Sequence, residues 1–221
     1  MRGLYAIVDV ESLERRGLDP VRFAESVLDA HPAALQLRDK AGGARRTLAL
    51  LRAIAPAAAR AGVPFFANDR PDLALLADCV GVHVGQDDLP IALVRSLGAL
   101  RVGLSTHDAA QVEEALAQAP DYLAIGPVFA TASKERPAPV VGLPLLAALA
   151  ARARAVLPGL PIVAIGGITR ARAGAVGAHA DAAAVIHALL PEENGPKAYL
   201  EVTARAKALH DAIRGVDGGG S

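Results

Sequence analysis

The segment Pro161-Ile162-Val163-Ala164-Ile165-Gly166-Gly167-Ile168-Thr169 combines an apolar run with a glycine pair. Its apolar run predicts a buried strand near 161–166. An amphipathic stretch near 170–178 and a second apolar run near 182–187 follow it. A strand, a helix and a strand in this order predict two parallel strands joined by a crossover helix.

The same alternation extends along the whole chain. Further apolar runs predict strands near 4–9, 33–39, 64–68, 80–85, 101–105 and 122–128. Helices are expected near 20–30, 43–61, 71–77, 90–98, 108–118, 143–156, 170–178 and 192–213. Eight units of about 28 residues favour a single (β/α)8 TIM barrel, because eight strands close a barrel and no run has the charges of an edge strand. A doubly wound open sheet is the alternative.

The composition limits the classes of function. We expect one domain over 1–214, because the composition shows no linker-like shift before 215, and a flexible, glycine-rich tail over 215–221. Lysine plus arginine and aspartate plus glutamate both total 23, and aromatic residues make up 3%, so the chain has no basic surface or stacking platform for nucleic acid. No uncharged stretch reaches the ~18 residues of a membrane span. The single Cys79 excludes an internal disulfide framework and suits the cytoplasm. Small-molecule partners are expected, and a homo-oligomer is left open.

Polar residues mark the end of the second predicted strand, in the sequence Gln36-Leu37-Arg38-Asp39-Lys40. Strand periodicity places Gln36, Arg38 and Lys40 on one side and the leucines on the other. Because a TIM barrel collects its chemistry at the carboxyl ends of the strands, these three groups are expected at the barrel mouth. A guanidinium, an ammonium and an amide suit a phosphorylated ligand. The alternative is a solvated cluster of charges.

Carboxylates follow the third and fourth predicted strands. Asn68-Asp69 ends one strand and Asp87-Asp88 follows the next, so Asp69 and one of the later pair can face each other. Two carboxylates with diphosphate oxygens suit Mg²⁺. The alternative is that they only cap helices that begin at Pro71 and Pro90. The Asn68 amide can pair with donor and acceptor positions of a heterocycle.

The remaining strand ends carry hydroxyls, imidazoles and a cation. Ser105 is a candidate donor to a ligand oxygen, whereas His107 is either a general base or part of a helix start at Asp108. The segment Thr131-Ala132-Ser133-Lys134 suits a phosphate.

Two further features complete the predicted mouth. The Gly166-Gly167 pair lets backbone N–H groups approach an anion. His187 ends the eighth strand near that pair. Three anion-competent clusters and an acidic pair at one rim indicate two phosphorylated ligands with a divalent cation.

Six ordered motifs resemble those of the thiamine phosphate synthase family. They are Gln36-Leu37-Arg38-Asp39-Lys40, Asn68-Asp69-Arg70, Gly81-Val82-His83-Val84-Gly85-Gln86-Asp87-Asp88-Leu89-Pro90, Gly103-Leu104-Ser105-Thr106-His107, Gly126-Pro127-Val128-Phe129 with Thr131-Ala132-Ser133-Lys134, and Ala164-Ile165-Gly166-Gly167-Ile168. The resemblance covers about Leu4 to Leu190. It implies a TIM barrel that joins 4-amino-2-methyl-5-(diphosphooxymethyl)pyrimidine to 4-methyl-5-(2-phosphooxyethyl)thiazole, which gives thiamine phosphate and pyrophosphate.

The resemblance also implies roles for single residues. The pyrimidine diphosphate would be held by Gln36, Arg38, Lys40, Asn68, Ser105 and Lys134, of which Arg38, Lys40 and Lys134 would be catalytic. Mg²⁺ would be bound by Asp69 and Asp88, with no direct ligand role for Asp87. The thiazole phosphate would be held by Thr131, Ser133, Gly167, Ile186 and His187. The family commonly has serine where His187 stands, so this position contributes either a backbone N–H, which histidine also offers, or a hydroxyl, which it lacks.

Two other functions stay open from the sequence. A thiazole tautomerase of the related branch would rely on a positioned histidine near Pro127, but Pro127 itself and Gln86-Asp87-Asp88 favour the synthase. A non-catalytic sensor of phosphorylated ligands is the third possibility.

Overall fold

The computed structural model describes residues 1–131, 139–195 and 197–215. The strands are Gly3–Asp9 (β1), Ala34–Arg38 (β2), Phe65–Asn68 (β3), Gly81–Val84 (β4), Arg101–Thr106 (β5), Tyr122–Ile125 (β6), Ile162–Ile165 (β7) and Ala182–Val185 (β8). The helices are Val10–Glu14 (α1), Pro20–Leu28 (α2), Ala44–Ala61 (α3), Pro71–Leu76 (α4), Ile91–Leu97 (α5), Ala109–Ala117 (α6), Gly142–Val156 (α7), Arg170–Gly177 (α8) and Ala198–Arg214 (α9). A 3-10 turn occupies His187–Leu189.

The eight strands form a closed parallel barrel. Each strand is hydrogen-bonded to the next along the chain, and β8 returns to pair with β1, where Gly3 lies opposite Ala182. The (β/α)8 TIM barrel is therefore confirmed, and the open-sheet alternative is wrong. Because all strands run in the same direction, their carboxyl ends meet at one rim.

Strand periodicity divides the apolar residues between two cores. Leu35 and Leu37 of β2 pack with the surrounding helices, as the sequence predicts. Inside the barrel, Tyr5, Phe66 and Tyr122 pack against one another with ring centroids 5.4–6.0 Å apart. The inward residues of β8 are alanines, whose small side chains fill less of the interior than the three aromatic rings do. The space left beside β8 contributes to a cavity that opens at the carboxyl rim.

Two helical segments differ from the sequence prediction. Helix α1 was not expected, and it forms because the Asp9 carboxylate accepts a hydrogen bond from the Ser12 backbone N–H at its first turn. Helix α9 begins at Ala198 rather than near 192. Before this helix, Glu192 contacts the residues that follow α1, because the Arg16 side chain donates to the Glu192 backbone carbonyl.

The C-terminal tail and the polarity of the helices were also subjects of prediction from the sequence. Of the tail expected at 215–221, the structure describes only Gly215, and 216–221 lie outside the described residues. In the described part of the chain, every helix is too short or too polar to cross a bilayer.

Candidate active site

A cavity of about 840 Å³ opens at the carboxyl rim of the barrel. It is lined by every predicted site residue that the structure describes: Gln36, Arg38, Lys40, Asn68, Asp69, Asp88, Ser105, Thr131, Gly167, Ile186 and His187. Ser133 and Lys134 lie outside the described residues. Residues far apart in the chain thus meet at one cavity.

The end of β2 supplies two of the polar groups through residues on its inner side. Gln36 is buried, and its side-chain N–H donates to Oδ1 of the Asn68 side chain over 2.8 Å. The Arg38 guanidinium donates to the buried Asp9 carboxylate over 2.5 Å. The alternative of a solvated charge cluster is therefore wrong for these two side chains. An arginine carries five N–H donors, so the pair with Asp9 leaves Arg38 donors for a ligand.

Asp69 and Asp88 form the acidic part of the rim. The Asp69 carboxylate lies 2.5 Å from the Lys40 ammonium, and the Asp88 carboxylate accepts from the Gly85 backbone N–H over 2.7 Å. Burial of the Asp88 carboxyl raises its pKa, and hydrogen bonding and charge repulsion from Asp69 add to this rise. The Gly85 N–H and Lys40 act in the opposite direction. The two carboxylates are thus near neighbours, as the sequence predicts.

The alternative role of these carboxylates as helix caps is wrong. Helix α4 has Arg70 at its cap position and α5 has Pro90, and neither helix start receives a hydrogen bond from a side chain. Asp69 itself has a φ of 61°, in the left-handed region. Such a conformation in an aspartate is uncommon and turns the chain sharply at the end of β3.

Acidic residues at the end of β1 and just after it were not predicted from the sequence. Asp9 lies opposite Arg38 in the register of β1 and β2 and neutralises its charge. Glu11 accepts from the backbone N–H of Ala41 over 2.6 Å and so fixes the loop that carries Lys40. A carboxylate directly after the apolar run of β1 was the available signal for Asp9.

The Ser105 hydroxyl faces the barrel interior as well as the cavity. It lies 2.8 Å from Nε2 of His83, and Nδ1 of the same ring lies 2.9 Å from the Tyr122 hydroxyl. The Tyr122 hydroxyl lies 2.8 Å from that of Tyr5. Burial raises the pKa of both tyrosines well above the ordinary value, so both hydroxyls stay protonated. The part that His83 and the tyrosines take here was not predicted from the sequence.

His107 is held by its own loop. Its Nδ1 donates to the Gly126 carbonyl over 2.5 Å, and its backbone N–H donates to the Gln111 side chain. The Asp108 carboxylate caps α6, as the helix-start interpretation predicts. The structure therefore confirms the helix start at this position.

The glycine pair after β7 is required by packing. Gly166 and Gly167 both have positive φ, and a Cβ on Gly167 would lie 2.4 Å from the Ala130 carbonyl oxygen. Arg172, which was not predicted from the sequence as a site residue, donates to the Gly167 carbonyl and stacks over the Phe129 ring. The chain after β7 is thus held tightly against the loop after β6.

Comparison with known proteins identifies the family. The family model described as thiamine monophosphate synthase matches residues 4–189. The chain is 42% identical to a thiamine-phosphate synthase of Laribacter hongkongensis over 190 residues, which are 84% of this chain and 86% of the relative. It is 43% identical to that of Anaeromyxobacter dehalogenans over 220 residues, 98% and 91% of the two chains. The chain belongs to the thiamine-phosphate synthase family.

A solved structure agrees with this assignment to the thiamine-phosphate synthase family. Thiamine phosphate pyrophosphorylase from Pyrococcus furiosus superposes with a TM-score of 0.81 at 28% identity, over 98% of this chain and 97% of the other. The resemblance inferred from six sequence motifs is thereby confirmed.

Proposed function

We propose that this chain is a thiamine phosphate synthase. It would join 4-amino-2-methyl-5-(diphosphooxymethyl)pyrimidine to 4-methyl-5-(2-phosphooxyethyl)thiazole and release pyrophosphate. The observation that carries the proposal is the convergence of Arg38, Lys40, Asp69 and Asp88 on one cavity in a member of this family. The volume of about 840 Å³ is in the upper part of the range of small-molecule sites, which suits two heterocycles.

The acidic pair fits Mg²⁺. Among the described residues, no group of three or more histidine, cysteine, aspartate or glutamate side chains is placed to hold a metal ion. Asp69 and Asp88 nevertheless suit this ion, because Mg²⁺ binds one or two carboxylates and takes its other oxygens from phosphates and water. Burial raises the pKa of Asp88, and the neighbouring Asp69 carboxylate adds to this rise; a divalent cation would relieve the repulsion between the two carboxylates. When bound, Mg²⁺ neutralises negative charge on the diphosphate.

The reaction needs charge stabilisation more than a base. The bond between the exocyclic carbon of the pyrimidine and the diphosphate oxygen breaks, and its electron pair leaves with the diphosphate. The amino-substituted ring stabilises the positive charge, and the lone pair of the thiazole nitrogen then forms the new carbon–nitrogen bond. Arg38, Lys40 and Lys134 are the groups that we assign to the departing diphosphate. The hydrogen-bonded Gln36 and Asn68 amides are assigned to the pyrimidine substrate, together with Ser105.

The opposite side of the cavity is assigned to the thiazole phosphate. Thr131, Gly167, Ile186 and His187 line the cavity there, and Ser133 belongs to the same sequence motif as Thr131. Holding this substrate in line with the departing diphosphate supplies the orientation that a two-substrate reaction requires. We also infer a cytoplasmic location, because the single Cys79 excludes an internal disulfide framework.

The test combines both phosphorylated heterocycles with Mg²⁺ and detects thiamine phosphate by mass. Wild-type chain is expected to form it, and Asp69→Asn and Lys134→Ala are expected to abolish it while the circular dichroism spectrum is retained. Asp72→Asn is the matched control, since Asp72 pairs with Arg70 on the surface and does not line the cavity. Full activity of Asp69→Asn or Lys134→Ala would contradict the assigned roles.

Two further incubations distinguish the other functions. Conversion of thiazole carboxylate phosphate without the pyrimidine would indicate a tautomerase. Calorimetric binding of the phosphorylated ligands without turnover, at saturating Mg²⁺, would indicate a sensor. Either result without thiamine phosphate would overturn the proposal.

A further inference from the structure

A continuous chain of hydrogen bonds runs through the barrel interior. It joins Tyr5 of β1, Tyr122 of β6, His83 of β4 and Ser105 of β5, with successive distances of 2.8, 2.9 and 2.8 Å. The Tyr122 ring reaches this position because β5 has a glycine beside it: a Cβ on Gly103 would lie 1.9 Å from the ring. The ring also stacks on His83, with an interplanar angle of 16°.

Tyr5, at the buried end of this series of hydrogen bonds, determines which group donates at each bond. Tyr5 is 1% exposed, and within the described part of the protein its hydroxyl has one hydrogen-bond partner, the Tyr122 hydroxyl. A buried donor that finds no acceptor is costly. The Tyr5 proton therefore points to the Tyr122 oxygen.

The donor at each further hydrogen bond follows from the Tyr5 proton. Because the Tyr122 oxygen accepts the Tyr5 proton, Tyr122 donates its own proton to Nδ1 of His83. A neutral imidazole that accepts at Nδ1 carries its proton at Nε2, and Nε2 donates to the Ser105 oxygen. In the opposite direction, Ser105 would donate to His83 and the proton of Tyr5 would lack an acceptor among the described residues.

We propose that His83 is a positioning residue: the buried tyrosines hold it as the Nε2–H tautomer, so that Ser105 presents its hydroxyl proton to the substrate. This rests on the proposed function, which assigns Ser105 to the pyrimidine diphosphate. Diphosphate oxygens accept hydrogen bonds and donate none, so a serine whose proton is turned toward the barrel interior would not bind them. The Ser105 backbone is fixed independently, because the Gln86 side chain donates to its carbonyl over 2.6 Å.

The tautomer is measurable without any substrate. In ligand-free protein labelled with ¹⁵N-histidine, long-range ¹⁵N–¹H spectra at about pH 8 are expected to show His83 with a protonated Nε2 and an unprotonated Nδ1. The spectrum of His83→Asn assigns the signal. A proton on Nδ1 would overturn the proposal even if the chain proves to be an active synthase. If wild-type chain forms no thiamine phosphate, the proposed function fails, and the spectrum still decides the direction of the hydrogen bonds.

Two tyrosine variants separate positioning from packing. Tyr122→Phe removes the donor that holds Nδ1 unprotonated, so the tautomer of His83 that accepts from Ser105 becomes accessible, and the KM for the pyrimidine diphosphate is expected to rise, by up to about tenfold, with a smaller change in kcat. Tyr5→Phe deletes the same group at a similarly buried site but leaves Tyr122 with His83 as its acceptor, so its KM is expected to rise about twofold or less. Equal effects of the two variants would indicate a structural role and overturn the proposal.

A double variant provides the final check. Ser105→Ala is expected to raise the KM as much as Tyr122→Phe, and Ser105→Ala with Tyr122→Phe to add nothing further, since both act on one hydrogen bond. Additive effects would contradict the proposal.

Discussion

Replacement of Arg38 by methionine is expected to lower stability and ligand binding for two different reasons. The Arg38 side chain is 20% exposed, that of Asp9 is 6% exposed, and their charged atoms are 2.5 Å apart. Without the guanidinium, the Asp9 carboxylate keeps only the Ser12 N–H as a close partner among the described residues. The variant therefore leaves a buried negative charge without its cation.

The structure sets the size of the effect. Removal of one partner of a buried ion pair costs about 3–5 kcal/mol, and the partial exposure of Arg38 places Arg38→Met at the lower end, about 3 kcal/mol. In an Asp9→Asn background the asparagine still caps α1 but carries no charge, so the same replacement is expected to cost about 1 kcal/mol. The expected coupling energy is about 2 kcal/mol.

Urea unfolding of the wild type, both single variants and the double variant measures this coupling. Calorimetry with pyrophosphate and Mg²⁺ on the same four proteins measures binding. Arg38→Met is expected to weaken binding in both backgrounds, because Asp9→Asn restores stability and not the lost donors. A coupling energy near zero would refute the structural account of the pair. Full pyrophosphate binding by the double variant would refute the role of Arg38 at the rim.

Three further variants or labels test other parts of the structure. The Cβ of Gly103→Ala would overlap the Tyr122 ring, so this variant is expected to lower the free energy of unfolding by about 3 kcal/mol and Tm by about 6–12 °C. The matched Gly43→Ala, whose Cβ meets no atom within 4 Å, should change Tm little. Equal shifts of Tm in the two variants would contradict the packing of Gly103 against Tyr122. Burial and a neighbouring carboxylate raise the pKa of Asp88 in the folded chain, so the favourable contribution of its neutral form is complete below the unfolded-state pKa and is lost as the pH rises through the folded-state pKa. Without metal, Asp88→Asn is therefore expected to raise Tm at pH 7 but not at about pH 3, and a loss of Tm at pH 7 would contradict this. Burial raises the pKa of the Cys79 thiol to about 12, so Ellman's reagent at about pH 8 should label the protein only after unfolding, and fast labelling of folded protein would contradict it.

Local periodicity was sufficient to predict one part of the site. Gln36 and Arg38 line the cavity because side chains two apart on a strand share a face, and that rule needs no knowledge of the neighbouring strands. Lys40 also lines the cavity, but it lies beyond the end of β2, in the loop that Glu11 fixes. The carboxyl ends of parallel strands share a rim, which brought Asp69 and Asp88 together in the same way.

Contacts that depend on register or on barrel closure were not predictable from the sequence. Asp9 meets Arg38 only because of the register between β1 and β2, and from the sequence alone a carboxylate after a strand equally indicates a helix start. Tyr5 and Tyr122 belong to β1 and β6, which are not neighbours in the sheet, and they meet only across the closed interior. Each tyrosine lies in an apolar strand, where the sequence indicates packing alone.

We propose that Arg38, Lys40, Asp69 and Asp88 form one site for a diphosphate and its metal ion. A crystal structure of the protein with Mn²⁺ and pyrophosphate would locate both ligands, because Mn²⁺ replaces Mg²⁺ and is identified by anomalous scattering. We predict one strong peak within coordination distance of both carboxylates, with pyrophosphate oxygens on the metal and on the Arg38 and Lys40 side chains. Metal and pyrophosphate bound at separate places, or away from this rim, would contradict the account.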